Sequence, residues 1–281
     1  MDDLHRSLAP ITAAGWDEID EEAKATLRRT LAARRLVDFA GPLGWSTSAV
    51  NLGRTKALRG NPADGVMAAQ RVVQPLVEFR VPFELKRSEL DALARGAKDP
   101  DLDPVRKAAL AIAVAEDRSV FHGYADGGIE GIFAAADVGP LTISEDFQKY
   151  PVLVAEATGA LRDAGVEGPY AIALGPRCYT GLTKTSTPAG YPIIKHVERL
   201  LDGPVVWSPG IDGAVVMSLR GGDFELSVGR DLSIGYLDHS GSAVQLYIEE
   251  SLTFRVLGPE AAVPLAYEDS ASSKTRKSKS K

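Results

Sequence analysis

The strongest constraint on the fold is a stretch of strict alternation near residue 80. Apolar side chains occupy every second position from Val77 to Leu85. The positions between them are held by Glu78, Arg80, Pro82 and Glu84. Successive side chains of a β-strand point to opposite faces, so the pattern predicts a strand with one buried face. Pro82 lacks a backbone N–H and predicts an edge position or a bulge.

Two amphipathic helices are predicted beside this strand. A long one starts at Asp103 and Pro104 and continues to Gly123, and we expect it to pack on the strand. A second one follows Thr12, a favourable N-cap residue. Its apolar stripe consists of Trp16, Ile19, Ala23, Leu27 and Leu31.

Residues 41–75 predict an extended excursion rather than part of a core. The turn-forming cluster 60–65 lies near its middle, between short and weakly apolar stretches, which is typical of a long hairpin arm. Because an isolated two-stranded hairpin is marginally stable in water, such an arm suggests a neighbour to lie on. A functional loop is the alternative.

The rest of the chain mixes helices and strands, so the predicted class is α+β. Segment 125–220 combines both around a small predicted sheet, which suggests a second compact domain inserted between the halves of the first. Segment 221–267 is rich in alternating strands. The tail 268–281 is mainly serine and lysine and is expected to be disordered.

The charge of the chain is unevenly distributed. The net charge of −6 includes five basic residues and no acid from Ser270 onward, so residues 1–269 carry −11. An acidic body repels nucleic acid, which argues against a DNA- or RNA-binding protein. A single cysteine and the absence of a signal peptide or an apolar span predict a cytoplasmic protein without a membrane partner.

Known catalytic and metal-binding motifs were not found. Gly60 and Gly65 have the spacing of a phosphate loop, but Val66 stands at the position of its lysine. The four histidines are scattered, and Cys178 reads as a packed thiol. We therefore predict no catalytic residue, no metal and no cofactor, although catalytic triads assembled in space escape such a search.

Three stretches near the C-terminus carry a specific resemblance. They are Arg220–Leu226, Gly229–Tyr236 and Glu250–Phe254, and further matches lie at 8–12, 34–38, 116–123 and 168–170. Together they resemble the encapsulins, once labelled linocin-type bacteriocins, over residues 1–267.

The resemblance implies the HK97-like capsid fold of tailed phages, with a peripheral domain, an axial domain and an extended loop. The implied peripheral domain has three parts, namely its start with the N-terminal helix (1–45), the long strand with the spine helix (77–124) and a C-terminal sheet (221–267). The extended loop would be 46–76 and the axial domain 125–220.

The resemblance also implies the function of a self-assembling icosahedral shell of, we expect, 60 subunits. Such a shell encloses a cargo enzyme, a dye-decolourising peroxidase or a ferritin-like protein, which would connect it with oxidative stress or iron storage. The cargo docks through a C-terminal targeting peptide. The expected docking residues are Leu27, Leu31, Arg34 and Asp38 near the first helix, and Asp231, Leu232, Ile234 and Tyr236 in a later strand.

A pore at the five-fold axis is a further implication of the resemblance. Its expected lining is Thr187, Pro188, Ala189, Gly190 and Tyr191, a neutral loop that should not select strongly by charge. Some encapsulins bind flavin through an aromatic residue, but the matching stretch 86–89 has none. A phage-derived capsid protein and, with less support, a peptidase or bacteriocin remain as alternatives.

Overall fold

The computed structural model describes residues 3–60 and 62–268 and contains both helices and strands. The helices of this part are α1 (Ala13–Thr30), α2 (Arg87–Ala94), α3 (Asp103–Phe121), α4 (Ile132–Ala135), α5 (Tyr150–Asp163), α6 (Pro176–Lys184) and α7 (Ile193–Leu201). Its strands are β1 (Asp38–Ala40), β2 (Ala49–Ala57), β3 (Ala69–Pro75), β4 (Val77–Lys86), β5 (Leu141–Thr142), β6 (Tyr170–Leu174), β7 (Val205–Trp207), β8 (Ala214–Ser218), β9 (Phe224–Val228), β10 (Ser233–His239), β11 (Ala243–Val256) and β12 (Ala262–Ala266). The predicted α+β class is confirmed. The predicted disordered tail lies outside the described residues, apart from Glu268.

The first sheet is organised around the long strand β11. Its strand order is β1-β9-β11-β10, and β4 pairs with β11 as a fifth strand. The alternation that predicted β4 is confirmed, because Phe83 and Leu85 are buried while Glu84 and Lys86 are exposed. Among the described strands β4 pairs only with β11, so the missing N–H of Pro82 is tolerated at an edge.

Helices α1 and α3 pack on this sheet and close a first core. Thr12 caps α1 as predicted, since its hydroxyl accepts a hydrogen bond of 3.1 Å from the Gly15 amide. The side chains of Ile19 on α1, Ile112 on α3 and Leu246 on β11 are fully buried and belong to one apolar cluster. The predicted pairing of the spine helix with the long strand is therefore present.

The second sheet has the order β5-β12-β8-β6-β7 and is flanked by α5, α6 and α7. Its last strand in sequence, β12, pairs antiparallel with β8 and parallel with β5. The predicted segment 221–267 is therefore divided between the two sheets. The chain changes sheets at Gly258, whose amide donates to the Asp223 carbonyl and whose Cα has no room for a Cβ beside the Asp223 carboxylate.

The predicted arm is a separate two-stranded antiparallel sheet of β2 and β3. Most of its residues are exposed. The register shifts between Asn51 and Thr55, where Gly53 has a φ of +68°. Residues other than glycine would be strained at this irregularity of the hairpin.

Candidate functional site

A surface groove lies where α1 ends and β10 begins. Its volume is about 400 Å³, and it is lined by Lys24, Leu27, Arg28, Leu31, Arg34, Arg35, Asp231 and Leu232. Three leucines supply the apolar part, and four basic residues and one acid supply the polar part. The structure thus brings together five of the eight predicted docking residues, which are Leu27, Leu31, Arg34, Asp231 and Leu232.

The groove exists because α1 stops abruptly. Leu27 is the last core-facing leucine of the helix, and Leu31, one turn on, is the half-buried C-cap residue. The amides of Ala32 and Ala33, just past the end, donate to the carboxylate of Asp117 on α3 at 2.9–3.2 Å. The C-terminal end of α1 is therefore held in place by the buried carboxylate of Asp117 rather than by a terminating glycine.

Arg34 forms the deep wall of the groove and is enclosed by three carboxylates. Its Nε donates to Glu116 at 2.8 and 3.0 Å, and its Nη2 lies 2.6 Å from Glu116 and 3.1 Å from Glu250. Its Nη1 donates to Asp231 at 2.7 Å. Of the five N–H groups of the guanidinium, these contacts leave one, on Nη1, for a ligand.

Glu116, Asp117, Glu250 and Arg34 together form a buried cluster that we call the acidic junction. Burial raises the pKa of Glu250 well above its ordinary value, and the neighbouring Glu116 raises it further. The Oε1 atom of Glu250 is buried and has no hydrogen-bond partner among the described residues. Both observations fit a protonated Glu250 that donates to Glu116.

Burial acts on the pKa of Arg34 and on the pKa of Asp117 with different results. Burial alone would lower the pKa of Arg34, but Glu116, Glu250 and Asp231 raise it, so Arg34 stays charged. Burial raises the pKa of Asp117 to about 7, although the Ala33 amide and the Ser208 hydroxyl oppose this shift. The Ser208 hydroxyl donates to Asp117 at 2.7 Å, so this carboxylate also ties the second sheet to the end of α1.

Ile234 and Tyr236 do not line the groove. Both are buried, 5% and 9% exposed, and belong to the first core together with the apolar residues of α1. The Tyr236 hydroxyl contacts Nδ1 of His239, and the Tyr236 amide donates to the Leu4 carbonyl. These two predicted docking residues therefore pack in the core, because a half-buried strand directs alternate side chains into it.

Asp38 lies in a different depression from the groove. Its carboxylate accepts a hydrogen bond of 2.6 Å from the Gly222 amide and lines a small pocket of about 200 Å³ next to Gly221. The parallel pairing of β1 with β9 places it there. Arg34 forms its ion pairs with Glu116, Glu250 and Asp231.

Glu116 and Glu250 were not predicted to take part in the site. A signal was present, because Glu116 stands on the apolar stripe of α3 with Ala109 and Ile112, and a buried acid needs a partner. The basic rim of Lys24, Arg28 and Arg35 was also missed. Charged residues at the end of a helix are common, so these three gave no distinctive signal.

The predicted pore loop forms a tight turn before α7. Thr187 and Tyr191 hold it, since the Thr187 amide donates to the Tyr191 carbonyl at 2.8 Å and the Tyr191 amide to the Thr187 hydroxyl at 3.1 Å. Pro188, Ala189 and Gly190 at its tip are exposed. The ring of Tyr191 lies 4.7 Å from that of His196 on α7.

In residues 3–60 and 62–268, no group of three or more histidine, cysteine, aspartate or glutamate residues is placed to hold a metal. Cys178 is buried beside the Tyr267 hydroxyl at 3.1 Å, and burial raises the pKa of its thiol. A thiol in this state is poorly nucleophilic. The helices of the described residues include none that is long and apolar enough to cross a membrane.

Comparison with known proteins gives a consistent result. A family model described as "Encapsulating protein for peroxidase" matches residues 1–253. A type 1 encapsulin shell protein of Rhodospirillum rubrum is 57% identical over 270 residues, covering 94% of this chain and 96% of the relative. Another, of Mycobacterium tuberculosis, is 46% identical over 267 residues, covering 95% and 100%. A diheme-cytochrome-encapsulin shell fusion protein of Kuenenia stuttgartiensis is 22% identical, covering 91% of this chain and 73% of the fusion.

Solved structures resemble the fold at low sequence identity. A virus-like particle from Pyrococcus furiosus has a TM-score of 0.63 at 16% identity, covering 89% of this chain and 98% of that chain. Gordonia phage Cozz has a TM-score of 0.53 at 17% identity, covering 85% and 87%. The predicted HK97-like capsid fold is thereby confirmed.

Proposed function

Because this chain belongs to the family of type 1 encapsulin shell proteins, we propose that it assembles with copies of itself into a hollow shell around a cargo enzyme. Members of the family are structural shell proteins and not enzymes. We further propose 60 subunits per shell, with 46–76 as the extended loop and 125–220 together with β12 as the axial domain. The segments 1–45 and 77–124 and the strands β9 to β11 would form the peripheral domain. A single free and buried cysteine fits the reducing cytoplasm.

The groove at the end of α1 is the observation that supports cargo docking. It offers about 400 Å³ beside the three leucines Leu27, Leu31 and Leu232, enough for one or two apolar side chains of an extended peptide. We propose that a C-terminal targeting peptide of the cargo binds there. A peroxidase fits the description of the matching family model, and the fusion relative combines a diheme cytochrome with an encapsulin shell in one chain.

Arg34 contributes one directed hydrogen bond to this docking. Since Glu116, Glu250 and Asp231 occupy the other N–H groups, the free Nη1 N–H suits a single carbonyl oxygen of the peptide. Leucine contacts would then supply most of the binding free energy. Weak binding at one groove is sufficient when an oligomeric cargo engages several grooves at once.

Co-expression with a reporter tests the docking proposal. The probe is a fluorescent protein fused to the C-terminal segment of a dye-decolourising peroxidase or a ferritin-like protein from the same genome. Fluorescence that co-elutes with the particles measures loading. We expect loading by the wild type and about a tenfold loss in Leu232→Asp, because a carboxylate replaces apolar contact area.

Leu237→Asp is the matched control, since Leu237 lies on β10, the strand that begins directly after Leu232, but is 47% exposed and outside the groove lining. It should load normally. Particles of Leu232→Asp that load like the wild type would contradict docking in this groove. A wild-type chain that forms no particles would contradict the shell function itself.

The loop 187–191 is proposed to line a pore at the five-fold axis. No charged side chain lies within it, so small solutes should pass without strong charge selection. A substitution such as Ala189→Glu should change the entry of anions and leave assembly intact, because the Ala189 side chain is exposed at the tip.

A further inference from the structure

The segment that carries the loop 187–191 is basic, whereas its surroundings are acidic. Residues 176–201 comprise α6, the loop and α7 and have a net charge of +3. Their charged residues are Arg177, Lys184, Lys195, Arg199 and the single acid Glu198. The other residues of segment 125–220 include three basic and ten acidic residues, a net charge of −7. The positive charge of this part of the chain is therefore concentrated on the two helices that hold the loop.

The loop is the tip of a short hairpin between these helices. Ser186 and Pro192 form an antiparallel bridge, and the Ile193 amide donates to the Thr185 carbonyl at 3.0 Å. Lys184 is the last residue of α6 and lies directly before this base of the hairpin, while α7 begins at Ile193 on its other side. The backbone itself therefore places the charge of Lys184 next to the loop.

Two of the cations have no counter-ion. Lys195 pairs with Glu198 at 2.6 Å, and Arg177 pairs with a glutamate that precedes α5. The exposed side chains of Lys184 and Arg199 form no ion pair within the part of the chain that the structure describes. Their charges are not compensated locally, so they act on the ions of the surrounding solution.

Arg199 extends this positive charge to the loop itself. Its guanidinium carbon lies 5.5 Å from the centre of the Tyr191 ring, and the His196 ring packs edge-on against the same ring at 4.7 Å. Tyr191 belongs to the proposed pore lining and is joined to Thr187 by two hydrogen bonds. The screening length at physiological ionic strength is about 8 Å, so the charge of Arg199 is still felt at the neutral lining.

We propose that Lys184 and Arg199 give the passage through the loop a moderate preference for small anions over small cations. The inference rests on the proposed pore and adds a charge preference that the neutral loop alone does not supply. Around a five-fold axis both cations would occur in five copies, and their potentials would add at the centre. Because neither charge belongs to the lining itself, we expect a preference of about threefold rather than strong selection.

The rate at which solutes reach the interior tests this inference with full-length particles. A naphthalene fluorophore linked to dextran is trapped inside while the particles reassemble, so the measurement does not depend on cargo docking. Stopped-flow fluorescence then follows quenching by iodide, by thallium(I) and by neutral acrylamide, each normalised to the free probe. The ratio of the iodide rate to the thallium(I) rate measures the charge preference, and the acrylamide rate measures the size of the opening.

Two double variants separate the effect of these cations from that of net charge. The pore variant is Lys184→Gln with Arg199→Gln, and the control is Lys107→Gln with Arg95→Gln, at exposed positions outside 176–201. At about 20 mM salt the iodide-to-thallium(I) ratio of the pore variant should fall about threefold below that of the wild type. The ratio of the control and the acrylamide rates of all three proteins should be unchanged. At about 500 mM salt the wild type should approach the pore variant, because salt screens the cations.

Several results would overturn the inference in particles that form normally. One is an unchanged ratio in the pore variant; if Ala189→Glu alters iodide entry in the same assay, the proposed pore stands and only the role of the two cations fails. An equal fall in the control would assign the preference to the net charge of the particle. A changed acrylamide rate in the pore variant would show that the substitutions alter the opening rather than its charge. If neither the pore variant nor Ala189→Glu affects entry, solutes enter elsewhere and the proposed pore fails as well.

Discussion

The acidic junction and the arm handle charge in opposite ways. At the junction, Glu116, Asp117 and Glu250 are fully buried, and each has partners from distant parts of the same chain. On the arm, the basic side chains are exposed and have no ion-pair partner among residues 3–60 and 62–268. The junction also joins the end of α1 to both sheets, whereas the arm stands apart from them.

From this difference we infer that the junction serves the fold, and we propose that the arm serves assembly. A buried carboxylate is stable only with its donors in place, so the junction fixes one arrangement of helix end, groove wall and sheets. Exposed cations cost little in the free subunit and become useful when a complementary surface arrives. Substitutions at the junction should therefore reduce stability, and substitutions on the arm should reduce assembly.

The largest expected effect is that of Asp117→Ala. The substitution leaves the amides of Ala32 and Ala33 and the hydroxyl of Ser208 buried without an acceptor. The free energy of unfolding should fall by about 3 kcal/mol or more. Chemical denaturation followed by tryptophan fluorescence measures it. The control is Asp126→Ala, at an exposed carboxylate, which should change stability by less than about 0.5 kcal/mol. Equal losses in both variants would contradict the claim that the buried carboxylate of Asp117 stabilises the fold.

Glu250→Ala should cost about 2 kcal/mol, because Arg34 loses an acceptor and a small cavity remains. Glu250→Gln should be nearly neutral. Its amide oxygen still accepts from Arg34, and its NH₂ donates to Glu116 where the protonated carboxyl is expected to donate now. A Gln variant as unstable as the Ala variant would show that Glu250 is ionised.

The titration of Asp117 should make the free energy of unfolding depend on pH. Its folded-state pKa of about 7 lies above the unfolded value of 3.8. The folded state therefore binds this proton more tightly, and stability present at low pH is lost as the pH rises towards and through 7. We expect a loss of about 1 kcal/mol between pH 6 and 8 in the wild type. Asp117→Asn should lose that part of the slope, as urea denaturation at each pH would reveal; an unchanged slope contradicts the assignment.

The smallest effect on stability is expected on the arm. Gly53→Ala places a side chain at a φ of +68° and should strain the hairpin where its register shifts. Unfolding of the cores should change by less than about 0.5 kcal/mol, since nothing packs on this position. Particle formation should weaken, as measured by ultracentrifugation. Gly60→Ala, in open space without a positive φ, is the control. Equal assembly of both variants would show that the backbone conformation at Gly53 is unimportant for assembly.

The local pattern of the sequence was sufficient for several elements. The alternation of Val77–Leu85 predicted β4, and the helical spacing after Thr12 and from Asp103 predicted α1 and α3. The turn cluster 60–65 predicted the hairpin of the arm. These features depend on side-chain periodicity and turn chemistry within a short window, which one sequence contains.

Other features depend on contacts between distant segments. Alternation predicted several strands within 221–267, but it is the pairing with β4, β9 and β10 that extends β11 over Ala243–Val256. The alternation of apolar residues in 221–267 does not indicate that β12 joins the second sheet. Helix α7 was missed, although Ile193, Val197 and Leu201 have helical spacing.

For the groove, the sequence by itself determined the apolar stripe of α1 that ends at Leu27 and Leu31. The family resemblance, also contained in the sequence, pointed to the segment around Leu232. Only the tertiary structure decided which side chains reach the groove. In the folded chain Ile234 and Tyr236 are buried in the core, and Asp38 lines another pocket. Arg34 is enclosed by Glu116, Glu250 and Asp231. The physical reason is that periodicity sets which face of an element is apolar, whereas the partner of a buried charge is set by long-range packing.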